Sequence, residues 1–171
     1  IEINHCLLGF FYTTSLKIMN YKIPKTEVNK KLNSFQTLFR ESGFKITPQR
    51  EAIYKVLLES NNHPSIDEIY QKVKKQYASI SLDTVYRNVE SLEKMNLVNR
   101  ICGIEGKNHF EANTTPHHHF ICIKCHAIFD FMYEKANTQK IHLPKEILNL
   151  GKVQSTHLLV KGVCKKCNSH K

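Results

Sequence analysis

Four of the six cysteines form two C-x-x-C pairs, Cys122-Ile-Lys-Cys125 and Cys164-Lys-Lys-Cys167. Two thiolates so spaced on a tight turn occupy two corners of a tetrahedron, and a second such turn closes a four-thiolate shell of the kind that holds structural Zn(II). A redox pair or an iron–sulfur centre is the alternative chemistry for such thiols. With no convincing export signal, disulfides are disfavoured and metal is the better use. A second cluster, Thr114-Thr-Pro-His117-His118-His119, sits just before the first pair. Alternate residues of a strand share a face, so His117 and His119 point one way and His118 the other. Two imidazoles on one face suit Fe(II), Zn(II), Mn(II) or Ni(II). Glu111 and Asp130 supply carboxylates from neighbouring strands, and His63 stands in Asn61-Asn-His-Pro64. A lone histidine is more often a surface or capping residue. The combination with the cysteine pairs is what points to a metal centre.

The elements that must position these residues follow from periodicity. Residues 20–30 are polar and basic and read as a tail. From Lys31, Leu32, Phe35, Leu38 and Phe39 recur at helical spacing up to Gly43, a C-cap. Thr47-Pro48 is an N-cap followed by proline at the first helical position. Ser65-Ile-Asp-Glu68 is a capping box opening a third helix. Ser81 opens a fourth, with Val85, Val89, Leu92 and Met95 on one face and Asn96 at its end. Leu97–Ile104 is rich in strand formers, Gly103–Lys107 turns, and His109–Glu111 returns as a second strand. Helices followed by a small hairpin describe a winged helix-turn-helix, whose last helix enters a major groove. Phe120–Ile123 and Ala127–Phe131 flank the first cysteine pair as short strands. Lys145–Leu150 reads as a short helix and Val153–Val163 as a last strand. The expected fold is α+β, a winged helix followed by a small α/β module that needs a metal staple. The boundaries are 1–30 for an extension and tail, 31–111 for the winged helix and 112–171 for the second module.

The chain has 41% apolar residues and a formal net charge of +10. The first suits a packed core, the second a polyanionic partner. The apolar run Cys6–Tyr12 is too short to span a bilayer, and no Lys or Arg precedes it. A cytoplasmic protein without membrane contact is expected. Met19 opens a Lys-rich stretch, so natural translation is expected to start there, with residues 1–18 an upstream extension.

Taken together, Gly43-Phe-Lys-Ile-Thr-Pro-Gln-Arg50, His63-Pro64, Ser81-Leu-Asp-Thr-Val-Tyr-Arg-Asn88, His117-His-His-Phe-Ile-Cys122-Ile-Lys-Cys125 and Gly162-Val-Cys164-Lys-Lys-Cys167 resemble the ferric uptake regulator family. The resemblance covers roughly Lys31 to Asn168. It implies a homodimer, with the second module as the dimerisation domain, and a metal-dependent repressor of double-stranded DNA at an A·T-rich palindromic operator. It implies regulatory ligands at His63, Glu111, His117, His119 and Asp130, with Zn(II) on the four cysteines. It also implies a recognition helix over Ser81–Met95, with Ser81, Thr84, Tyr86 and Arg87 at the DNA and Lys45 reaching the minor groove. Tyr86 has core packing as its other reading. Some members carry a further site, for which His118 and His157 match two ligands. Asn137 stands where many have Glu, with Glu134 nearby.

Position 111 bears on the signal. Zinc sensors of the family commonly have Cys there and peroxide sensors usually Asp, so Glu111 leans toward Fe(II). Mn(II) and Zn(II) remain as regulatory ions, and the histidine run also resembles zinc sensors. In a peroxide sensor, His63 and His117 would be the ligands oxidised. Two readings of other kinds stand beside this one. Zinc nucleobase deaminases pair H-x-E with P-C-x-x-C, and His109-Phe-Glu111 precedes Cys122-Ile-Lys-Cys125. Ile121 replaces the proline, however, the spacing is too short, and the second cysteine pair is left unexplained. A zinc-ribbon interaction module leaves the basic winged helix without a purpose. No catalytic residue is assigned.

Overall fold

The computed structural model describes residues 16–19 (as backbone), 23–43, 45–103, 106–133, 144–153 and 156–169. The apolar run 6–12, the turn residues 104–105 and the positions Glu134 and Asn137 lie outside them.

Four helices form the first half: α1 (Lys25–Glu41), α2 (Pro48–Glu59), α3 (Ile66–Lys74) and α4 (Leu82–Lys94). The capping signals are realised. Thr47 accepts from the Arg50 amide with Pro48 at the first position, and Ser65 and Glu68 form a reciprocal capping box. Ser81 accepts from the Thr84 amide. Helix α1 starts at Lys25, inside the stretch read as a tail. Its first turn buries Val28 and follows the buried Ile23, so two isolated apolar residues suffice to seat a basic segment that shows no periodicity of its own.

These helices enclose Phe35, Phe39, Tyr54, Leu57, Ile69, Val85 and Leu92, all nearly sealed from solvent. Phe35 stacks on Tyr54 with centroids 5.1 Å apart. Burial of each such side chain contributes about 1.5–3 kcal/mol. After α4, Asn96 takes a left-handed backbone with φ 56° and turns the chain into an antiparallel hairpin. Its strands are β2 (Asn99–Cys102) and β3 (Asn108–Glu111), with Asn99 opposite Glu111. Phe110 of β3 plugs into the helical core.

Strand β1 (Leu16–Met19), from near the start of the sequence, joins β4 (His118–Cys122), β5 (Ile128–Tyr133) and β6 (Leu159–Gly162) of the second half in a four-stranded sheet in the order β1-β5-β4-β6. Strands β4 and β5 are antiparallel, with His119 opposite Asp130. Strand β6 runs parallel to β4, with Cys122 opposite Gly162. Short helices α5 (Lys145–Leu148) and α6 (Lys165–Asn168) complete the described elements. The last strand is thus shorter than the apolar run Val153–Val163 suggested. Gly162 lies close against β4: a Cβ there would stand 3.0 Å from the Phe120 ring, which would have to give by a few tenths of an ångström. Strand β1 takes three of its four residues, Leu16–Ile18, from the segment read as an upstream extension, and it pairs antiparallel with β5, Met19 opposite Asp130.

Candidate metal centres and nucleic-acid face

The two cysteine pairs meet. Cys122 ends β4, and the following turn is closed by the His126 amide on the Cys122 carbonyl, 2.9 Å, and the Cys122 amide on the Ala127 carbonyl, 2.9 Å. Cys164 precedes α6, and the Ile123 amide donates to the Gly162 carbonyl at 2.8 Å, locking one turn to the other. All four sulfurs lie within 4.8 Å of one another. Cys125 Sγ and Cys164 Sγ are 3.8 Å apart, the spacing of about 3.8 Å that a tetrahedron with Zn–S bonds near 2.3 Å requires. The Cys164 amide donates to Cys122 Sγ at 3.3 Å. Backbone amides, that of Cys164 first, draw the Cys122 thiol down to about 6, favouring the thiolate that binds metal. The cluster is consistent with a zinc site.

The second cluster joins both halves. His63, between α2 and α3, and Glu111, at the end of β3, come from the helical half. His117, His119 and Asp130 come from the sheet. One ligand atom from each lies within 4.8 Å of the others, and all five residues are buried. His63 Nε2 is 2.7 Å from Asp130 Oδ1 and 3.4 Å from Glu111 Oε2. His117 Nε2 is 3.0 Å from Glu111 Oε2. His119 Nε2 is 3.6 Å from Glu111 and 3.5 Å from Asp130. His117 precedes β4 rather than lying in it, yet it converges with His119 as alternation requires.

This arrangement fits a divalent cation. His119 Nε2 and Asp130 Oδ1 are buried without a well-formed hydrogen bond, an expensive state that a metal ion would relieve. His117 Nδ1–H donates to the Thr115 carbonyl at 2.7 Å, leaving Nε2 as the ligand atom. Asn99 donates from β2 to Glu111 Oε1 at 3.4 Å and to the Asn113 carbonyl at 3.1 Å. That leaves Glu111 Oε2 to face the cluster. Burial raises the Glu111 pKa, but His117, His119 and His63 outweigh it and hold the carboxyl well below the usual carboxylate range. Burial also depresses His63, but Asp130 and Glu111 overcome it and lift the imidazole to about 9. His117 is raised in the same way, chiefly by Glu111 against burial. Three imidazoles and two carboxylates form a mixed N/O set suited to Fe(II), Mn(II), Zn(II) or Ni(II).

His118 points to the other side of β4, as alternation requires. It is buried, its ring is 5.5 Å from that of Phe131, and its Nδ1 accepts from the Leu158 amide at 3.3 Å. His157 stacks on His119 at 5.8 Å and lies 6.3 Å from His118. Among the described residues, neither joins a group of converging ligand atoms. A cleft of about 370 Å³ opens between the hairpin and the sheet, reaching Glu111, His119 and His157.

Helix α4 turns Tyr86 outward, 47% exposed, so core packing is not its role. Arg87 is also exposed and pairs with Asp83 at 2.9 Å. Ser81 and Thr84 share a 2.8 Å hydrogen bond in the helix cap, and Lys45 is exposed in the loop before α2. Arg50 fixes α4 from α2 by donating to Asn88 Oδ1 at 2.7 Å. Asn99 and Arg50 escaped notice as supports because a polar residue on a strand or helix reads as solvent-facing. A sequence signal for Asn99 exists only once its pairing with Glu111 is known.

Comparison with known proteins agrees with this geometry. The model of the ferric uptake regulator family matches residues 41–160. The peroxide-responsive repressor PerR of Staphylococcus aureus is 34% identical over 130 residues, 75% of this chain and 85% of the relative. The solved peroxide stress regulator of Campylobacter jejuni is 35% identical with a TM-score of 0.57, covering 80% of this chain and 98% of that one. The ferric uptake regulator of Vibrio cholerae, whose structure shows rearranged DNA-binding domains, is 27% identical with a TM-score of 0.62, covering 76% and 99%. With the two residue clusters and these likenesses in hand, the chain belongs to the ferric uptake regulator family of metal-responsive repressors.

Proposed function

We propose that the chain is an Fe(II)-responsive, DNA-binding repressor that works in the cytoplasm as a homodimer. In this reading, residues 31–111 form the DNA-binding domain and 112–171 the dimerisation domain, stapled by Zn(II) on Cys122, Cys125, Cys164 and Cys167. The observation that carries it is the buried cluster of His63 and Glu111 with His117, His119 and Asp130, because its ligands straddle the junction. A cation held there bonds both halves and favours one angle between them. His63 and Glu111 orient the helical half, while His119 and Asp130, opposed on β4 and β5, supply the fixed side. Metal and DNA then strengthen each other's binding, since coupling is reciprocal.

At the DNA, Tyr86 would pack on thymine methyls and Arg87 would bond guanine after leaving Asp83. Ser81 and Thr84 would meet the sugar–phosphate frame of an A·T-rich palindrome, and Lys45 would reach its minor groove. Exposed Phe129 and Val160, both in register with Phe120 on one face of the sheet, give a second copy an apolar surface to cover. Binding of the zinc-loaded protein to such a duplex, measured anaerobically during Fe(II) titration, tests the reading. A tenfold gain in affinity, about 1.4 kcal/mol of coupling, is expected. Equal binding without added metal overturns it.

A second reading, a peroxide-responsive repressor, is favoured by the likeness to the regulators of S. aureus and C. jejuni. Hydrogen peroxide added to the Fe(II)-loaded protein would then abolish DNA binding and add one oxygen to His63 or His117. The Mn(II)-loaded protein would be spared. Intact histidine peptides and unchanged DNA binding leave the iron reading alone standing.

A further inference from the structure

His63 carries a left-handed backbone. Its φ is +47°, a region that few residues other than Gly enter, although His, Asn and Asp do so more often than the rest. Such a conformation persists only where its surroundings hold it. Strand β3 does the holding. The His109 imidazole lies with Nδ1 2.7 Å from the His63 carbonyl oxygen. A carbonyl only accepts, so Nδ1 carries the proton. The Phe110 amide donates to the Pro64 carbonyl at 3.0 Å, and Ser65 bridges antiparallel to His109. Two residues along the same strand, Glu111 meets the other end of His63 at 3.4 Å from Nε2. One strand thus grips His63 by its backbone oxygen and by its ring.

The hairpin also leaves room for the His109 ring. A Cβ on Gly103 would lie 2.8 Å from His109 Cδ2 and collide with the Lys107 carbonyl oxygen. The bare backbone at Gly103 therefore lets the imidazole lie where it reaches His63. His109 belongs to neither ligand cluster.

We propose that His109 is a positioning residue for the metal at the domain junction: its hydrogen bond to the His63 carbonyl sets the aim of the His63 imidazole. This rests on His63 being a metal ligand. Supports of this kind around a ligating histidine commonly govern metal affinity.

The test uses the full-length, zinc-loaded protein with Mn(II) as probe and calorimetric affinity as readout. His109→Leu removes the donor, and His109→Gln, whose amide reaches too far along the side chain, is a second loss variant should the first fail to fold. His109→Asn keeps an N–H near the Nδ1 position. Loss variants are expected to bind Mn(II) about tenfold to a hundredfold more weakly, and His109→Asn to recover most of the affinity. The same His109→Leu or His109→Gln change in a His63→Ala background should cost nothing further, because the ligand it aims is gone. Loss variants that bind within about twofold of the parent overturn the inference. So does a loss that persists in the His63→Ala background, which marks a general structural effect. If His63→Ala alone leaves Mn(II) binding intact, the ligand reading fails first and the inference falls with it.

Discussion

His63 Nε2 and Asp130 Oδ1 stand 2.7 Å apart, joining the loop between α2 and α3 to the second strand of the β4–β5 pair. Both residues are buried, and each belongs to a different half of the molecule. Truncating either should uncouple metal from DNA while sparing the cysteine site. For Asp130→Asn or His63→Ala, the tenfold Fe(II) enhancement of DNA binding is expected to vanish, about 1.4 kcal/mol. Zinc content, measured by atomic emission, should stay at the parent value. Retained Fe(II) enhancement in both variants would exclude this cluster as the switch.

The same pair sets a pH dependence. Asp130 and Glu111 lift the His63 pKa from 6.5 to about 9 against the pull of burial, so in protein lacking the junction metal the folded state binds this proton more tightly than the unfolded chain. The stabilisation is complete below pH 6.5 and is lost as pH rises through about 9. His117, also raised, acts in the same direction. The melting temperature should therefore fall between those pH values, less steeply in His63→Ala. Metal must displace the same proton, so Mn(II) affinity should rise across that range. A Mn(II) affinity that is flat with pH would contradict the proton exchange.

The cysteine cluster should behave as a fold determinant. Structural Zn(II) in small domains carries about 10–16 kcal/mol of binding free energy. Cys125→Ser or Cys164→Ser is expected to melt the sheet half and leave the helices, read as early loss of amide-exchange protection in β4 and β6. An unchanged exchange pattern and melting curve would argue against a structural metal.

The DNA face gives separable effects. Arg87→Ala should cost about 1–3 kcal/mol and relax base preference. Lys45→Ala should weaken binding most where the minor groove is A·T-rich and reduce the salt slope by about one. Binding titrations at several salt concentrations distinguish the two. Identical salt slopes and unchanged A·T preference for Lys45→Ala and the parent would remove Lys45 from the DNA contacts.

Much of this architecture was legible in the sequence because it rests on short-range rules. Thr47, Ser65 and Ser81 announce their helices through local side-chain caps, and Phe35, Phe39, Val85 and Leu92 fall on the buried faces that their spacing requires. The early start of α1 was not legible, since Val28 and Ile23 join a core built largely from residues far along the chain. The members of the two clusters were legible by type and by resemblance, and the structure brings them together. The supports of Asn99 and His109 depend on β2–β3 register and on the backbone of His63, which no local pattern encodes. His109 stood out only through its spacing from Glu111, and the structure gives it a different partner.

Strand β4 carries His119 near one end and Cys122 at the other. Its pairing is fixed on both sides, with Asp130 opposite His119 and Gly162 opposite Cys122. A slip of one residue would exchange His119 for His118 at the junction. The cysteine clasp therefore guards the alignment of the sensor as well as the integrity of the sheet. On the proposed reading failure would follow an order: loss of Zn(II) from the clasp would first leave the junction misaligned and the regulator deaf to its signal, while the helical half still stood folded.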